Sequence, residues 1–182
     1  MRIILEGLDR CGKSTAAVQL ANHFGPGVIV HHSSAPPKLG SSELQLNWEL
    51  RNYKKLWEKT DSTDVTIFDR FHLGMLVYGK KYRGYEVDRV DHLEWKMFKG
   101  IDEGRNYMFT FVDTVDNLIK RDDGLSLESA DRDQIKSSID SFIMYHIESS
   151  ISQHRKKIID VSLGFDKIIP TIFRTINEDH CF

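Results

Sequence analysis

A glycine-rich turn at residues 7–14, GLDRCGKS, lies between an apolar run at residues 2–6 and a helix-forming stretch at residues 13–24. The turn matches the spacing G-x-x-x-x-G-K-S, in which the backbone cradles phosphate oxygens. Glycines at 7 and 12 let N–H groups turn inward, and the start of the helix adds partial positive charge. Because the mechanism requires a strand, a loop and a helix in this order, the segment predicts a binding site for the phosphate tail of a nucleotide.

Each side chain of this Walker A loop has an expected role. Lys13 should reach the β- and γ-phosphates of ATP, and the Ser14 hydroxyl should ligate Mg²⁺. Arg10 is either a solvated loop charge or an arginine supplied in cis that stabilises the transferring phosphoryl group. Cys11 is expected to be a small filler, and Thr15 to pack or cap within the helix. The residues predicted to contact the ATP phosphates are Gly7, Asp9, Arg10, Cys11, Gly12, Lys13, Ser14 and Thr15.

Strand and helix patterns alternate along the whole chain. Strands are predicted at residues 2–6, 27–32, 65–69, 106–113 and 157–161. Helices are predicted at residues 13–24, 43–59, 86–101, 115–121 and 133–153, with a last one after Gly164. This alternation indicates an α/β fold with three layers, in which a five-stranded parallel sheet is covered on both faces. A length of 182 residues fits one domain spanning residues 1–182.

Composition narrows the possible partners and surroundings. The 25 Lys+Arg residues against 27 Asp+Glu give a net charge of −2, which argues against a broad basic face for nucleic acid. Cys11 and Cys181 form neither a disulfide framework nor a zinc spacing, so a reduced, cytoplasmic setting is expected. No window approaches the roughly 20 apolar residues of a membrane span, so no membrane partner is expected.

Two motifs together, EGLDRCGKST at residues 6–15 and FDR at residues 68–70, resemble those of the thymidylate kinase and deoxynucleoside kinase superfamily. The opening is most similar to thymidylate kinases. The order of elements is shared over most of the chain, whereas the specific motifs cover only about the first 85 residues. The resemblance implies a P-loop nucleoside/nucleotide kinase fold, with ATP and Mg²⁺ as cofactors.

The same resemblance implies roles for individual residues. Asp9 would contact the 3′-hydroxyl of the acceptor sugar, Arg70 would hold the acceptor phosphate, and Asp69 would lie near Mg²⁺ and the reacting centre. Arg121 would lead into a lid at residues 122–133 that closes over ATP, although the acidic residues there also fit a solvated loop. A charged pair directly after an apolar strand emerges at the carboxyl edge of a parallel sheet, where such folds bind ligands. The alternative for Asp69 and Arg70 is an ordinary ion pair.

The acceptor is harder to predict, because the segment HHSSAPPK at residues 31–38 departs from both groups. It lacks the arginine-bearing segment of thymidylate kinases and the glutamate base of deoxynucleoside kinases. A hydroxyl acceptor must lose a proton, whereas a phosphate acceptor needs only positioning. The missing glutamate disfavours a nucleoside as the acceptor, although Asp69 could serve as the base that removes the hydroxyl proton. His31 and His32 are expected to end a strand without a chemical role.

The helix at residues 43–59 should face the acceptor. Trp48 and Arg51, one turn apart, could stack on a pyrimidine and hydrogen-bond to its edge, although Trp48 also fits a core position. Phe71 follows the Asp69-Arg70 pair and is a further candidate for acceptor binding. Arg83 is either a second phosphate clamp or a surface charge.

The sequence therefore predicts a kinase that transfers the γ-phosphoryl group of ATP to a pyrimidine deoxynucleoside monophosphate such as dTMP. The expected catalytic residues are Lys13, Arg10, Asp69 and Arg70, and the expected metal ligands are Ser14 and Asp69. The alternative acceptor is a hydroxyl of a deoxynucleoside or of a modified (hydroxymethyl) pyrimidine in DNA, with Asp69 as base.

A nucleotide-dependent switch is disfavoured, since residues 68–71 carry no D-x-x-G or D-E signature. The resemblance also implies a possible homodimer through helices that flank the third strand.

Overall fold

The predicted strands and helices form one parallel sheet with helices packed against it. A computed structural model of the chain describes residues 1–33, 37, 39–60, 65–98, 106–124 and 131–179. The strands are β1 (Arg2–Gly7), β2 (Ile29–His32), β3 (Thr66–Asp69), β4 (Asn106–Val112) and β5 (Lys156–Asp160). The helices are α1 (Lys13–Phe24), α2 (Ser42–Lys59), α3 (His72–Tyr78), α4 (Asp88–Phe98), α5 (Val115–Lys120), α6 (Arg132–Glu148) and α7 (Ile168–Asp179).

The five strands are all parallel and lie in the order β2-β3-β1-β4-β5. Strands β1 and β3 are buried along their whole length and β4 almost so, because central parallel strands are covered on both faces. The edge strand β2 is partly exposed. The predicted three-layer α/β fold is confirmed.

Some sequence predictions fall outside the described residues. These are residues 125–130 of the predicted lid, residues 34–36 and 38 of the acceptor-side segment, and Cys181. Among the helices of the described residues, none is both long and apolar enough to cross a bilayer.

Helix α3, which follows β3 after only two residues, is not among the predicted helices. Its sequence, HLGMLVY, is almost entirely buried, so it shows no amphipathic period, and Gly74 lowers its helix propensity. A π-helical turn at Gly79–Arg83 follows directly. The predicted final helix starts late, at Ile168, after two short 3₁₀ turns. Helix α6 ends at Glu148, before the predicted residue 153.

An aromatic cluster under β3 joins the sheet to the helices of one face. Phe71 has no exposed surface, and its ring contacts those of Tyr53, Trp57 and Phe68, with centroids 4.9, 5.7 and 4.6 Å away. The prediction that Phe71 binds the acceptor is therefore wrong for its side chain, which is a core residue that supports α2. The reason is its direction: the chain turns at Arg70 and directs the next side chain inward.

A buried polar cluster connects α4 to the start of α3. The Glu94 carboxylate accepts hydrogen bonds from Ser149 Oγ at 2.5 Å and Ser150 N at 2.9 Å, and it lies 3.6 Å from His72 Nε2. Burial raises the pKa of Glu94, but the charge of His72 and these hydrogen bonds outweigh it and bring the pKa to about 2. Burial lowers the pKa of His72, but Glu94 outweighs it and leaves that pKa raised. The two groups therefore form a buried ion pair.

We expect Glu94→Gln to lower the free energy of unfolding at pH 7 by about 3 kcal/mol, because it leaves His72 buried without its partner. A folded-state pKa below the ordinary value gives stability that is complete above about pH 4.5 and is lost as the pH falls toward 2. Urea unfolding at pH 7, above the ordinary pKa of the Glu94 carboxyl, measures the difference between variant and wild type. The control is Glu58→Gln, which alters only an exposed pair with Lys54. A loss equal to that of the control would contradict the prediction.

Candidate active site

The site is built at the carboxyl edge of the sheet, where β1 and β3 end side by side. Leu5 lies opposite Asp69 in the register, and Arg70 N donates a hydrogen bond to Leu5 O at 2.9 Å. Strand β1 continues to Gly7, so the loop after it begins beside the Asp69-Arg70 pair. Parallel pairing therefore brings together the two motifs found in the sequence.

Two glycines let the loop approach its neighbours closely. Gly7 has φ +123°, and a Cβ there would lie 2.2 Å from the carbonyl oxygen of Phe111. Gly12 has φ +80° and stands as the N-cap of α1, where a Cβ would meet the ring of Phe165 at 2.5 Å. Both positions require glycine, as the phosphate-loop motif predicts.

Lys13 lies inside the loop. It is only 4% exposed, and its ammonium group donates to the carbonyl oxygen of Leu8 on the opposite limb of the loop. A lysine that spans the loop in this way places its positive charge where a bound phosphate chain would need it.

Ser14 and Asp69 meet across the site. Ser14 Oγ donates to Asp69 Oδ2 at 2.6 Å, and His32 Nδ1 lies 2.9 Å from the same oxygen. The other oxygen, Asp69 Oδ1, is buried and has no hydrogen-bond partner in the described residues. A hydroxyl and a carboxylate oxygen side by side fit Mg²⁺, which takes oxygen ligands and usually binds through one or two carboxylates plus substrate phosphates. The described residues hold no cluster of three or more His, Cys, Asp or Glu suited to a metal.

His32 contacts the site through Asp69, a contact that the sequence alone does not predict. His32 ends β2, as its sequence predicts, but the sheet places β2 next to β3 and pairs His32 with Asp69. The signal that could have revealed it was the parallel order of β2 and β3, since residues that end neighbouring parallel strands meet at one edge.

Arg70 and Asp9 form an ion pair at the same edge. Arg70 has φ +75°, one of two positive values among the non-glycine residues described, and such strain is concentrated at functional sites. The structure thus brings together the two residues that the resemblance assigned to the acceptor.

Glu6 anchors the strained turn at Arg70, a role that the sequence alone does not predict. Its side chain is buried, and Oε1 accepts hydrogen bonds from the backbone N–H groups of Phe71 at 3.0 Å and Leu73 at 2.9 Å. Burial raises the pKa of Glu6, while His72 and the two backbone hydrogen bonds act in the opposite direction. Glu6 therefore caps α3 from the neighbouring strand.

A pocket of about 200 Å³ lies between α2 and the end of β2. Its lining residues are His31, His32, Ser33, Trp48, Glu49, Asn52, Tyr53 and Leu56. Trp48 is 37% exposed and lines this pocket together with Asn52, and its role in acceptor binding stays a prediction.

Arg51 does not line this pocket. It lies in a separate groove between α2 and α4 with Leu50 and Lys54, and its Nε donates to Asn47 O at 3.2 Å. At 3.6 residues per turn, a residue three positions from Trp48 lies on one side of it and a residue four positions away on the other. The pocket is on the Asn52 side, so Arg51 and Trp48 do not line one pocket, and a role of Arg51 in acceptor binding stays a prediction.

Arg83 is paired within the protein. Its Nη1 donates to Glu49 Oε2 at 2.5 Å and to the Tyr85 hydroxyl at 3.3 Å. Burial raises the pKa of Glu49, and Arg83 opposes this shift. Arg83 is thus neither an isolated surface charge nor a free clamp at the pocket; it holds Glu49 on α2.

Arg10 and Arg121 lie on the other side of the loop. Arg10 Nη1 is 2.7 Å from Asp122 Oδ1, at the start of the predicted lid. Arg121 donates from Nη1 to Arg10 O at 2.8 Å and from Nη2 to Asp113 Oδ2 at 2.5 Å. Cys11 is completely buried beside them, and burial raises the pKa of its thiol, as fits a filler and not a nucleophile.

Comparison with known proteins shows the fold. No family model matches the chain. The structure is similar to that of the YorR protein of Bacillus subtilis in complex with phosphorylated GDP, with a TM-score of 0.73 and 23% identity over 100% of this chain and 99% of that one. It is also similar to thymidylate kinase of Candida albicans, with a TM-score of 0.68 and 17% identity over 98% and 92% of the chains. A deoxyadenosine kinase from M. mycoides matches with a TM-score of 0.63 and 12% identity over 98% and 100%.

The chain has the P-loop nucleotide-kinase fold. In sequence, YorR of B. subtilis strain 168, a prophage-derived uncharacterised protein, is 35% identical over 85 residues. That match spans 47% of this chain and 46% of YorR, so it covers less than half of the curated relative.

We expect Gly7→Ala to destabilise the protein by about 2 kcal/mol or more beyond Gly27→Ala. Both glycines have positive φ, so both variants carry the same kind of backbone strain. Only at Gly7 does the new Cβ collide with backbone, the Phe111 carbonyl, whereas nothing lies within 4 Å of a Cβ at Gly27. Urea unfolding of the two variants measures the difference between their free energies of unfolding. Equal losses would show that the close approach of β1 to β4 adds nothing to the cost of the substitution.

Proposed function

We propose that the protein is a kinase that uses ATP and Mg²⁺ to phosphorylate a pyrimidine deoxynucleoside monophosphate. The proposal rests on two contacts at one edge of the sheet. These are the hydrogen bond between Ser14 and Asp69 and the ion pair between Asp9 and Arg70. A donor loop and an acceptor-binding pair are then adjacent, which is the arrangement that direct phosphoryl transfer requires.

On the donor side, Lys13 would offset the negative charge that develops on the transferring group, and Ser14 and Asp69 would hold Mg²⁺. Mg²⁺ held by Ser14 and Asp69 would supply positive charge that offsets the charge of the phosphate oxygens. Arg10 is proposed as an additional cation beside the loop, held through Asp122. These residues support transfer by positioning and charge compensation, which need no covalent intermediate.

On the acceptor side, Arg70 would bind the phosphate of the monophosphate, and its planar guanidinium suits bidentate contact. Asp9 would accept a hydrogen bond from the sugar hydroxyl. Trp48 would stack on the base, with Asn52 supplying a donor and an acceptor to its edge. The pocket of about 200 Å³ is small against the roughly 300–1,000 Å³ of most ligand sites, which favours a single-ring base.

A second candidate is transfer to a hydroxyl of a deoxynucleoside or of a modified pyrimidine in DNA. The observation that favours it is the carboxylate of Asp69, whose Oδ1 is buried without a hydrogen-bond partner in the described residues. With Oδ2 held by Ser14 and His32, Oδ1 is available to accept a hydroxyl proton.

Transfer of labelled γ-phosphate from ATP tests both candidates. The panel of acceptors is dTMP, dCMP, dUMP, dGMP, GDP, thymidine, plain DNA and DNA with hydroxymethyl pyrimidines. We expect label on pyrimidine monophosphates. Label on dGMP or GDP alone, by analogy with the nucleotide in the YorR complex, would keep the kinase but reverse the base preference. Label on DNA or thymidine alone would establish the second candidate, and no transfer to any acceptor would refute both.

We expect Asn52→Ala to raise the KM for the acceptor roughly 10-fold, since loss of one base contact costs about 1 to 2 kcal/mol. Arg51→Ala is the matched control, one residue away on the same helix but directed to the other groove. It should leave the KM unchanged, and neither variant should alter the KM for ATP. A larger effect at Arg51 than at Asn52 would contradict the assignment of the pocket.

A further inference from the structure

We propose that Arg121 is a positioning residue for the phosphate loop, acting through the backbone of Arg10 and not by contact with ATP. This inference rests on the proposed function, in which the loop binds phosphate. It differs from the role implied by the resemblance, an arginine that leads a lid over the nucleotide.

The buried carboxylate of Asp113, directly after β4, anchors this arrangement. Its side chain has no exposed surface. Oδ1 accepts from Thr114 N at 2.7 Å and Asn117 Nδ2 at 2.8 Å, which fixes it at the start of α5. Oδ2 remains for Arg121 Nη2, at 2.5 Å. Asp113 therefore holds one end of the guanidinium in a defined place.

The other end of the guanidinium holds the loop. Arg121 Nη1 donates to Arg10 O at 2.8 Å, across 111 residues of sequence. Arg10 has φ +65°, which a residue with a Cβ rarely adopts. Asp122, the next residue, pairs with the Arg10 side chain at 2.7 Å, so two consecutive residues hold the carbonyl and the guanidinium of Arg10. The strained conformation is thus fixed from outside the loop.

The consequence for phosphate binding follows from the planarity of the peptide. In a trans peptide, the C=O of Arg10 and the N–H of Cys11 point in opposite directions. With the carbonyl held toward Arg121, the Cys11 N–H points away from it. Holding this peptide therefore fixes the direction of the Cys11 N–H, and successive N–H groups around a left-handed residue form an anion-binding concavity.

The test separates positioning of the loop from contact with the base by the choice of ligand. Arg121→Ala and Asp113→Asn are titrated with ATP, GTP and inorganic triphosphate, the last two also as competitors of ATP. We expect both variants to bind all three ligands roughly 10-fold more weakly or worse, because the loop is altered and not a base contact. Their effects should be less than additive in the double variant, since they break one chain of contacts. Arg121→Lys, which supplies a charge but not the fork, should recover only part of the affinity.

The matched control is Arg89→Ala, which removes an exposed arginine of α4 whose Nη2 donates to Asn47 Oδ1 at 2.8 Å and should bind like wild type. Far-UV circular dichroism and thermal unfolding verify that each variant is folded. If Arg121→Ala does not fold, the binding measurements are made on Arg121→Lys instead. A loss confined to ATP would show that Arg121 contacts adenine and would overturn the inference. Wild-type affinity in both Arg121→Ala and Asp113→Asn would overturn it too. If the wild-type protein binds none of the three ligands, the proposed function fails instead.

Discussion

The buried carboxylate of Glu6 is the interaction on which the site depends. It extends from the end of β1 and accepts the N–H groups that begin α3, so two chain segments 65 residues apart form one turn. That turn holds Arg70 in its left-handed conformation beside Asp9 and keeps Asp69 next to Ser14. An uncapped, buried helix start would leave N–H groups unpaired, which is costly, so Glu6 links the stability of α3 to the geometry of the site.

The features that the sequence predicted are those encoded locally. The phosphate loop is specified by eight contiguous residues, and in the structure Lys13 lies inside the loop, Ser14 contacts Asp69, and both glycines have positive φ. The central strands were identified because burial on both faces makes them continuously apolar. The approach of Asp69 to Ser14 follows from one further rule, that neighbouring parallel strands end at the same sheet edge.

The features that the sequence did not predict depend on the direction of side chains and on distant contacts. Phe71 and Arg51 have plausible residue types for a nucleotide site, but the turn at Arg70 directs Phe71 into the core, and helical phase directs Arg51 away from the pocket. His32 becomes a site residue only when β2 is known to lie beside β3. Helix α3 carries no amphipathic pattern, and its cap comes from another strand, so no local signal marks it.

The pairing of charges at the site favours an acceptor that carries phosphate. Arg70 is compensated by Asp9, and Arg83 by Glu49. A substrate that replaces Asp9 at Arg70 must itself compensate the arginine, because an arginine stripped of its partner in a partly buried site is costly. A phosphate dianion can do so with two parallel hydrogen bonds and free Asp9 for a sugar hydroxyl. A neutral hydroxyl cannot, so it would have to bind beside the intact Asp9–Arg70 pair and rely on Asp69 alone.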